Sequence, residues 1–163
     1  MAPRPAALTL TEHLPARELV AGEALFGPDD TGEGLVVLVS GRLQVEAGGA
    51  ALGSVDVPGA FVGEIAALLG TGRTADVVAD GPVTVRHVAS PVELFAAHPE
   101  LGLELARQLA ARLHRLTAYL VDVRGQYAGS DGHLGMVDSV LGTLSSRPAV
   151  DIEPGSERPG PDC

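Results

Sequence analysis

Between Arg17 and Val88 the chain reads as short runs rich in Val, Leu and Ala, each closed by Gly, Pro or Asp. "RELV" ends at "AGE", "LVVLV" at "SG", "RLQVEA" at "GG", "ALGSVDV" at "PG" and "TADVVA" at "DGP", and "VTVRHV" follows. Short apolar runs with regular turn punctuation predict antiparallel strands. The pattern predicts a mainly β fold with helices, an antiparallel, jelly-roll-like β-roll of about eight strands followed by C-terminal helices.

The period changes at Ser90. "SPVELFAA" offers Ser90 as N-cap, Pro91 at the first helical position and Glu93 at the third, a helix start. Pro99 then opens "PELGLELARQLAARLHRLTAYLVDVRGQY", whose apolar positions Gly102, Ala106, Leu109, Leu113, Leu116, Leu120 and Val123 form an a/d seam. Leu101, Leu103 and Leu105 widen the stripe in the first turns. The expected arrangement packs the early part on the roll and offers the later part to a partner helix, giving a homodimer through residues 99–127. The alternative is a long helix lying on its own domain.

Outside these elements the chain is Pro- and Gly-rich. Residues 1–10 are expected to be a flexible N-terminus, 11–128 one ordered domain including the long helix, and 129–146 a short hinge-like helix. The last stretch, 147–163, is expected to be a disordered tail, because "RPAVDIEPGSERPGPDC" has nothing to bury.

Composition narrows the function more than the fold. A chain of 163 residues, 45% hydrophobic and 20% charged, supports one globular domain, and 3% aromatics leave its core to Val, Leu and Ala. With 11 basic and 21 acidic residues the net charge is −10, which argues against wrapping nucleic acid or coating an anionic membrane. Direct DNA binding is therefore not expected. Cys163 is the one cysteine, so no disulfide framework or thiolate metal site is expected. Neither a membrane-length apolar run nor a signal-type N-terminus is present, and a cytoplasmic protein is the expectation. The five histidines lack metal-ligand spacing, "DDTGEG" lacks the ligand spacing of a calcium loop, and no nucleophile motif stands out. Accordingly neither a metal, a cofactor nor an enzymatic activity is expected.

The candidate chemistry lies in "GAFVGEIAALLGTGRTADVVA", where Glu64 and Arg73 stand nine residues apart among small aliphatics. "GEIAALLG" predicts a short helix after Gly63 and ended by Gly70. Its first turn presents free N–H groups that attract an anion, and Arg73 adds a charge-assisted fork. Glu64, an acceptor only, suits a sugar hydroxyl. These residues describe a pocket for a compact molecule carrying a phosphate and a hydroxyl. Gly63, Ala66 and Ala75 allow close backbone approach, and Val62, Ile65, Val77 and Leu52 supply apolar lining. Two other readings are open. Arg73 in a buried salt bridge with Glu64 or Asp76 would need no ligand. "GTGRT" resembles a nucleoside-triphosphate loop, but arginine replaces its lysine and its first glycine would fall at Ala67.

Phe61, Gly63, Glu64, Ile65 and Ala66, followed by Arg73, Thr74, Ala75 and Val77, resemble the phosphate-binding cassette of the cyclic nucleotide-binding domain family. "AGEALF", "SGRLQV" and "PGAF" resemble that family's flanking elements, so the similarity extends over about Arg17 to Val123. The Glu-to-Arg spacing is like that of kinase regulatory subunits and nucleotide-gated channels, and "GAFVGEI" is closer to catabolite-activator-type regulators. The resemblance implies that Arg73 binds the cyclic phosphate and that Glu64 accepts from the ribose 2′-hydroxyl. Gly63, Ile65 and Ala66 would give amides to the sugar-phosphate, and Thr74 would donate to the phosphate or to a guanine. Thr117, Arg115 and Tyr119 are the candidates on the long helix for facing the purine. The implied function is a cAMP or cGMP sensor that closes its helices over the ligand and signals to a protein partner. Alternatives are a ligand-independent dimeric scaffold with a vestigial cassette, or a partner subunit of a transcriptional regulator.

Overall fold

The computed structural model describes residues 4–27, 30 and 33–126. Its backbone divides into two compact units, Met1–Arg112 and Leu113–Cys163, and the described part of the second is the stretch 113–126. The expected hinge-like helix at 129–146 and tail at 147–163 lie outside the described residues.

Eight strands form the first unit: β1 (Ala16–Leu19), β2 (Ala24–Phe26), β3 (Leu35–Ser40), β4 (Leu43–Ala47), β5 (Ala50–Val55), β6 (Phe61–Val62), β7 (Asp76–Ala79) and β8 (Val83–Val88). They pair antiparallel into two four-stranded sheets, ordered β1-β8-β3-β6 and β2-β7-β4-β5, the β-roll that the strand pattern predicted. Among the described residues four helices accompany them: α1 (Ala6–Leu10), α2 (Glu64–Leu69), α3 (Pro91–Ala97) and α4 (Pro99–Gln126). Ser90 stands at the N-cap position of α3 without a side-chain cap hydrogen bond, and Pro91 opens the helix, where the missing proline N–H costs no hydrogen bond.

Alternation along β3 explains how the layers join. Val36 and Leu38 bury themselves with Leu43, Val77, Ala79, Val83 and Val85 in a core between the sheets. Leu35 and Val37 point the other way and pack with Phe61, Val88, Leu101 and Leu105 beneath the helices. A strand that is apolar on both faces must be covered on both.

Within the stretch 1–10 expected to be flexible, Ala6–Leu10 form α1 on that second face. Ala7 and Leu8 of α1 are buried against it. The Arg86 Nη1 donates to the Leu8 carbonyl at 2.9 Å, and the Thr11 hydroxyl donates to the Ala7 carbonyl at 2.5 Å. The seam of α4 also shifts by one residue in its first turns. Leu101 and Leu105 are the buried anchors, with Leu109 packed beside them, whereas Gly102 and Ala106 are not buried. Among the described residues no helix is long and apolar enough to cross a membrane.

Candidate functional site

Gly63 sets the site by leaving β6 with φ at 87°, in the left-handed region, and capping α2. A side chain there is excluded twice, by backbone conformation and by space: a Cβ would stand 2.5 Å from the Arg73 Nη1 and 2.9 Å from the Phe26 Cε2. Among the described residues no side chain caps the first turn of α2. Gly70, also left-handed, ends the helix as the sequence predicted.

Arg73 returns from the far side of this turn and is 7% exposed. Its Nη1 donates to the Gly63 carbonyl at 2.9 Å and its Nη2 to the Gly34 carbonyl at 3.0 Å. The guanidinium carbon stands 3.9 Å from the centroid of the Phe26 ring. The Nε is buried and has no hydrogen-bond partner among the described residues. Among the described residues no carboxylate pairs with Arg73, so the ligand-free salt bridge to Glu64 or Asp76 does not form. Burial lowers the arginine's proton affinity, and the charges of Asp30 and Glu64 act against that. A buried cation held by carbonyls and an aromatic face keeps its charge unneutralised, which is the electrostatic condition for taking up an anion.

Glu64, 3% exposed, is paired instead with Arg112 of α4 through Oε1 and Nη1. The Arg112 Nη2 also donates to the Phe61 carbonyl at 2.7 Å. Two further α4 side chains bond the first unit, Gln108 at the same stretch and Glu104 at α1. Gln108 accepts from the Phe61 N–H at 3.0 Å and donates to the Gly59 carbonyl at 3.2 Å, and Glu104 accepts from the Ala7 N–H at 3.4 Å. Residues 104, 108 and 112 recur every four positions, one stripe of the helix beside the buried Leu101 and Leu105 and the half-buried Leu109.

These groups surround a cavity of about 120 Å³. Gly63, Glu64, Ile65, Ala66, Arg73, Thr74 and Ala75 line it, with Val62 and Val77 as expected, and Phe26, Val45, Val55 and Arg112 complete it. Leu52 does not line it. A bulge in the β4–β5 pairing, where Val45 faces Gly53 but Glu46 faces Ala51, leaves Leu52 unpaired and 64% exposed. Val45 and Val55 take the lining role assigned to it. Thr117, in the second unit, donates its hydroxyl to the Leu113 carbonyl at 3.0 Å. Sequence reasoning missed Phe26, Gly34 and Arg112. Only Arg112 left a trace in the sequence, as the third long polar side chain at a four-residue interval. Among the described residues no group of three His, Cys, Asp or Glu side chains is arranged to hold a metal ion.

Comparison with known proteins agrees with this architecture. Residues 16–91 match the family model of the cyclic nucleotide-binding domain. No curated protein matches the sequence. Among solved structures, the catabolite activator protein of Thermus thermophilus is 26% identical, with a TM-score of 0.55 over 71% of this chain and 57% of that one. A structure described under a cyclic-GMP-dependent signalling pathway of bacterial phytopathogenesis matches 71% of this chain and 98% of its own, at 23% identity and a TM-score of 0.55. The N-terminal domain of a transcriptional regulator from Streptomyces coelicolor A3(2) shares the fold at 24% identity and a TM-score of 0.50, over 68% of this chain and 83% of that one. The roll, the glycine-capped short helix and the buried arginine all fall within the segment, residues 16–91, that matches the cyclic nucleotide-binding domain.

Proposed function

We propose that the chain is a regulatory sensor that binds a cyclic nucleotide, cAMP or cGMP, in the cavity beside α2. The observation that carries this reading is Arg73, a buried cation with no carboxylate partner among the described residues and one unbonded N–H, set beside an uncapped helix turn. In this reading Arg73 takes the cyclic phosphate together with the amides of Gly63, Ile65 and Ala66, and Thr74 adds a hydroxyl to the phosphate or to a guanine. Ala75 admits the ligand closely, and Glu64 accepts from the ribose 2′-hydroxyl through the oxygen that Arg112 leaves free. Val45, Val55, Val62 and Val77 contact the apolar edge of the ligand. Signalling follows from a change in α4, through which a homodimer and a protein partner are reached. Leu113 and Leu116, 51% and 52% exposed, are the side chains such a dimer would bury. No catalytic step, metal or cofactor is part of this reading, and the acidic chain, cytoplasmic in this view, does not bind DNA itself.

Isothermal titration with cAMP and with cGMP tests it. Binding in the micromolar range or tighter is expected with at least one nucleotide. Arg73→Ala should weaken it by roughly 10- to 150-fold, the worth of a charge-assisted hydrogen bond. One observation favours a second reading, the ligand-independent scaffold. The cavity is smaller than the roughly 300 Å³ at which ligand pockets begin, so a nucleotide enters only if the walls move. No heat with either nucleotide decides for the scaffold.

A further inference from the structure

Phe26 ends β2 and has no part in the nucleotide chemistry above, yet its ring lies under the one buried cation of the site. We infer that Phe26 is the positioning residue of Arg73, holding the guanidinium for a phosphate without neutralising it; this rests on the proposed function. Three contacts fix the guanidinium. The Gly63 and Gly34 carbonyls set its rotation within its own plane, and the ring 3.9 Å away holds the group against one wall. An aromatic face attracts a cation through its quadrupole and carries no formal charge. A carboxylate in the same place would orient Arg73 equally well, but it would also satisfy the charge and compete with the incoming phosphate. The ring takes no hydrogen bond from the buried Nε–H, which has no partner among the described residues.

The surroundings are built around this stack. A Cβ at residue 63 would strike both the Arg73 Nη1 and the Phe26 ring, at 2.5 and 2.9 Å. A Cβ at residue 34 would come 2.3 Å from the Val88 carbonyl, so the backbone that offers its oxygen to Arg73 is open only to glycine. Phe26 is 8% exposed and belongs to the core between the sheets, so its test must separate orientation from packing.

A double-mutant cycle does so, read by nucleotide titration. Phe26→Leu is expected to weaken nucleotide binding on the order of 10-fold in the Arg73 background, and by less than about 2-fold when Arg73→Ala is already present. Phe26→Tyr, which keeps the aromatic face, should stay within about 3-fold of the wild type. Equal losses in both backgrounds, or equal losses for Leu and Tyr, would overturn the inference in favour of simple packing. A second readout needs no ligand and survives poor folding of a variant. In the ¹H–¹⁵N spectrum of the ligand-free wild type the Arg73 Nε–H should be shifted upfield by the ring and slow to exchange. A resonance at the ordinary arginine position would overturn the inference, whereas a shifted resonance with no nucleotide binding would leave the stack standing and sink the proposed function instead.

Discussion

The Arg112–Glu64 pair is an ionic contact between α4 and the cassette, and removing half of it should be felt by the whole first unit. Arg112→Met keeps most of the aliphatic volume and deletes the guanidinium. It leaves the Glu64 carboxylate, 3% exposed, without its cation, and the Phe61 carbonyl without its 2.7 Å donor. Breaking a fully buried pair costs about 3–5 kcal/mol. The Arg112 side chain is 32% exposed, so water follows the deletion and the expected loss falls to about 2–3 kcal/mol. Glu64→Gln keeps an acceptor for Arg112 and should cost only about 1 kcal/mol. With both changes no charge is stranded, and the double variant should be about 1.5 kcal/mol more stable than the two single losses predict. Urea unfolding of all four proteins, at one protein concentration to hold any self-association constant, measures this coupling. Single losses under about 0.5 kcal/mol that simply add would show that the pair is a solvent-screened contact and that the reasoning fails.

Two further outcomes follow from the same geometry. Gly63→Ala places an L side chain at φ 87° and its Cβ on Arg73, so a stability loss of at least about 1–2 kcal/mol is expected by calorimetry, accompanied by loss of nucleotide binding; an unchanged midpoint would refute the cradle. Glu23 is held below its ordinary value near 4.5 by a hydrogen bond from Arg17 and another from the Val20 N–H. Because the folded value is the lower one, its stabilisation is present above about pH 4.5 and is lost as pH falls through that lower value. The difference in thermal midpoint between the wild type and Glu23→Gln should therefore shrink on acidification from pH 6 to pH 3, and a difference that grows would reverse the sign of the argument.

How much of this was legible depended on sequence distance. The strands were readable because glycine, proline and aspartate mark each turn, and α2 because two glycines bracket six helix-forming residues. Glu64 and Arg73 share one continuous stretch, so their spacing alone brings them to the same cavity. Phe26 and Gly34 reach Arg73 from 47 and 39 positions away, as strand order dictates, and nothing local in "ALF" or "GEG" signals that role. Leu52 misled for a different reason. Period two holds only while the pairing is regular, and the bulge beside Gly53 turned the expected lining residue out to solvent. At residues 1–10 composition suggested flexibility, yet Ala7 and Leu8 meet an apolar face whose existence depends on β3 being buried on both sides.

The stripe of Glu104, Gln108 and Arg112 gives the deeper reason why the coupling between helix and cassette escapes a sequence pattern. Most of its bonds end on main-chain atoms: the Ala7 and Phe61 N–H groups and the Phe61 and Gly59 carbonyls. Main-chain partners impose no residue type on the other side, so no complementary motif is written there. They do impose register. A slip of α4 by one turn, 5.4 Å, would carry Arg112 away from Glu64 and Gln108 away from Phe61 together, since side chains four apart move as one row. The helix therefore exchanges these contacts as a set and not one by one. Under the proposed function, a ligand that alters the Glu64 carboxylate would act on Arg112, the member of the set bonded to a carboxylate, and through it on the helix that Gln108 and Glu104 also hold.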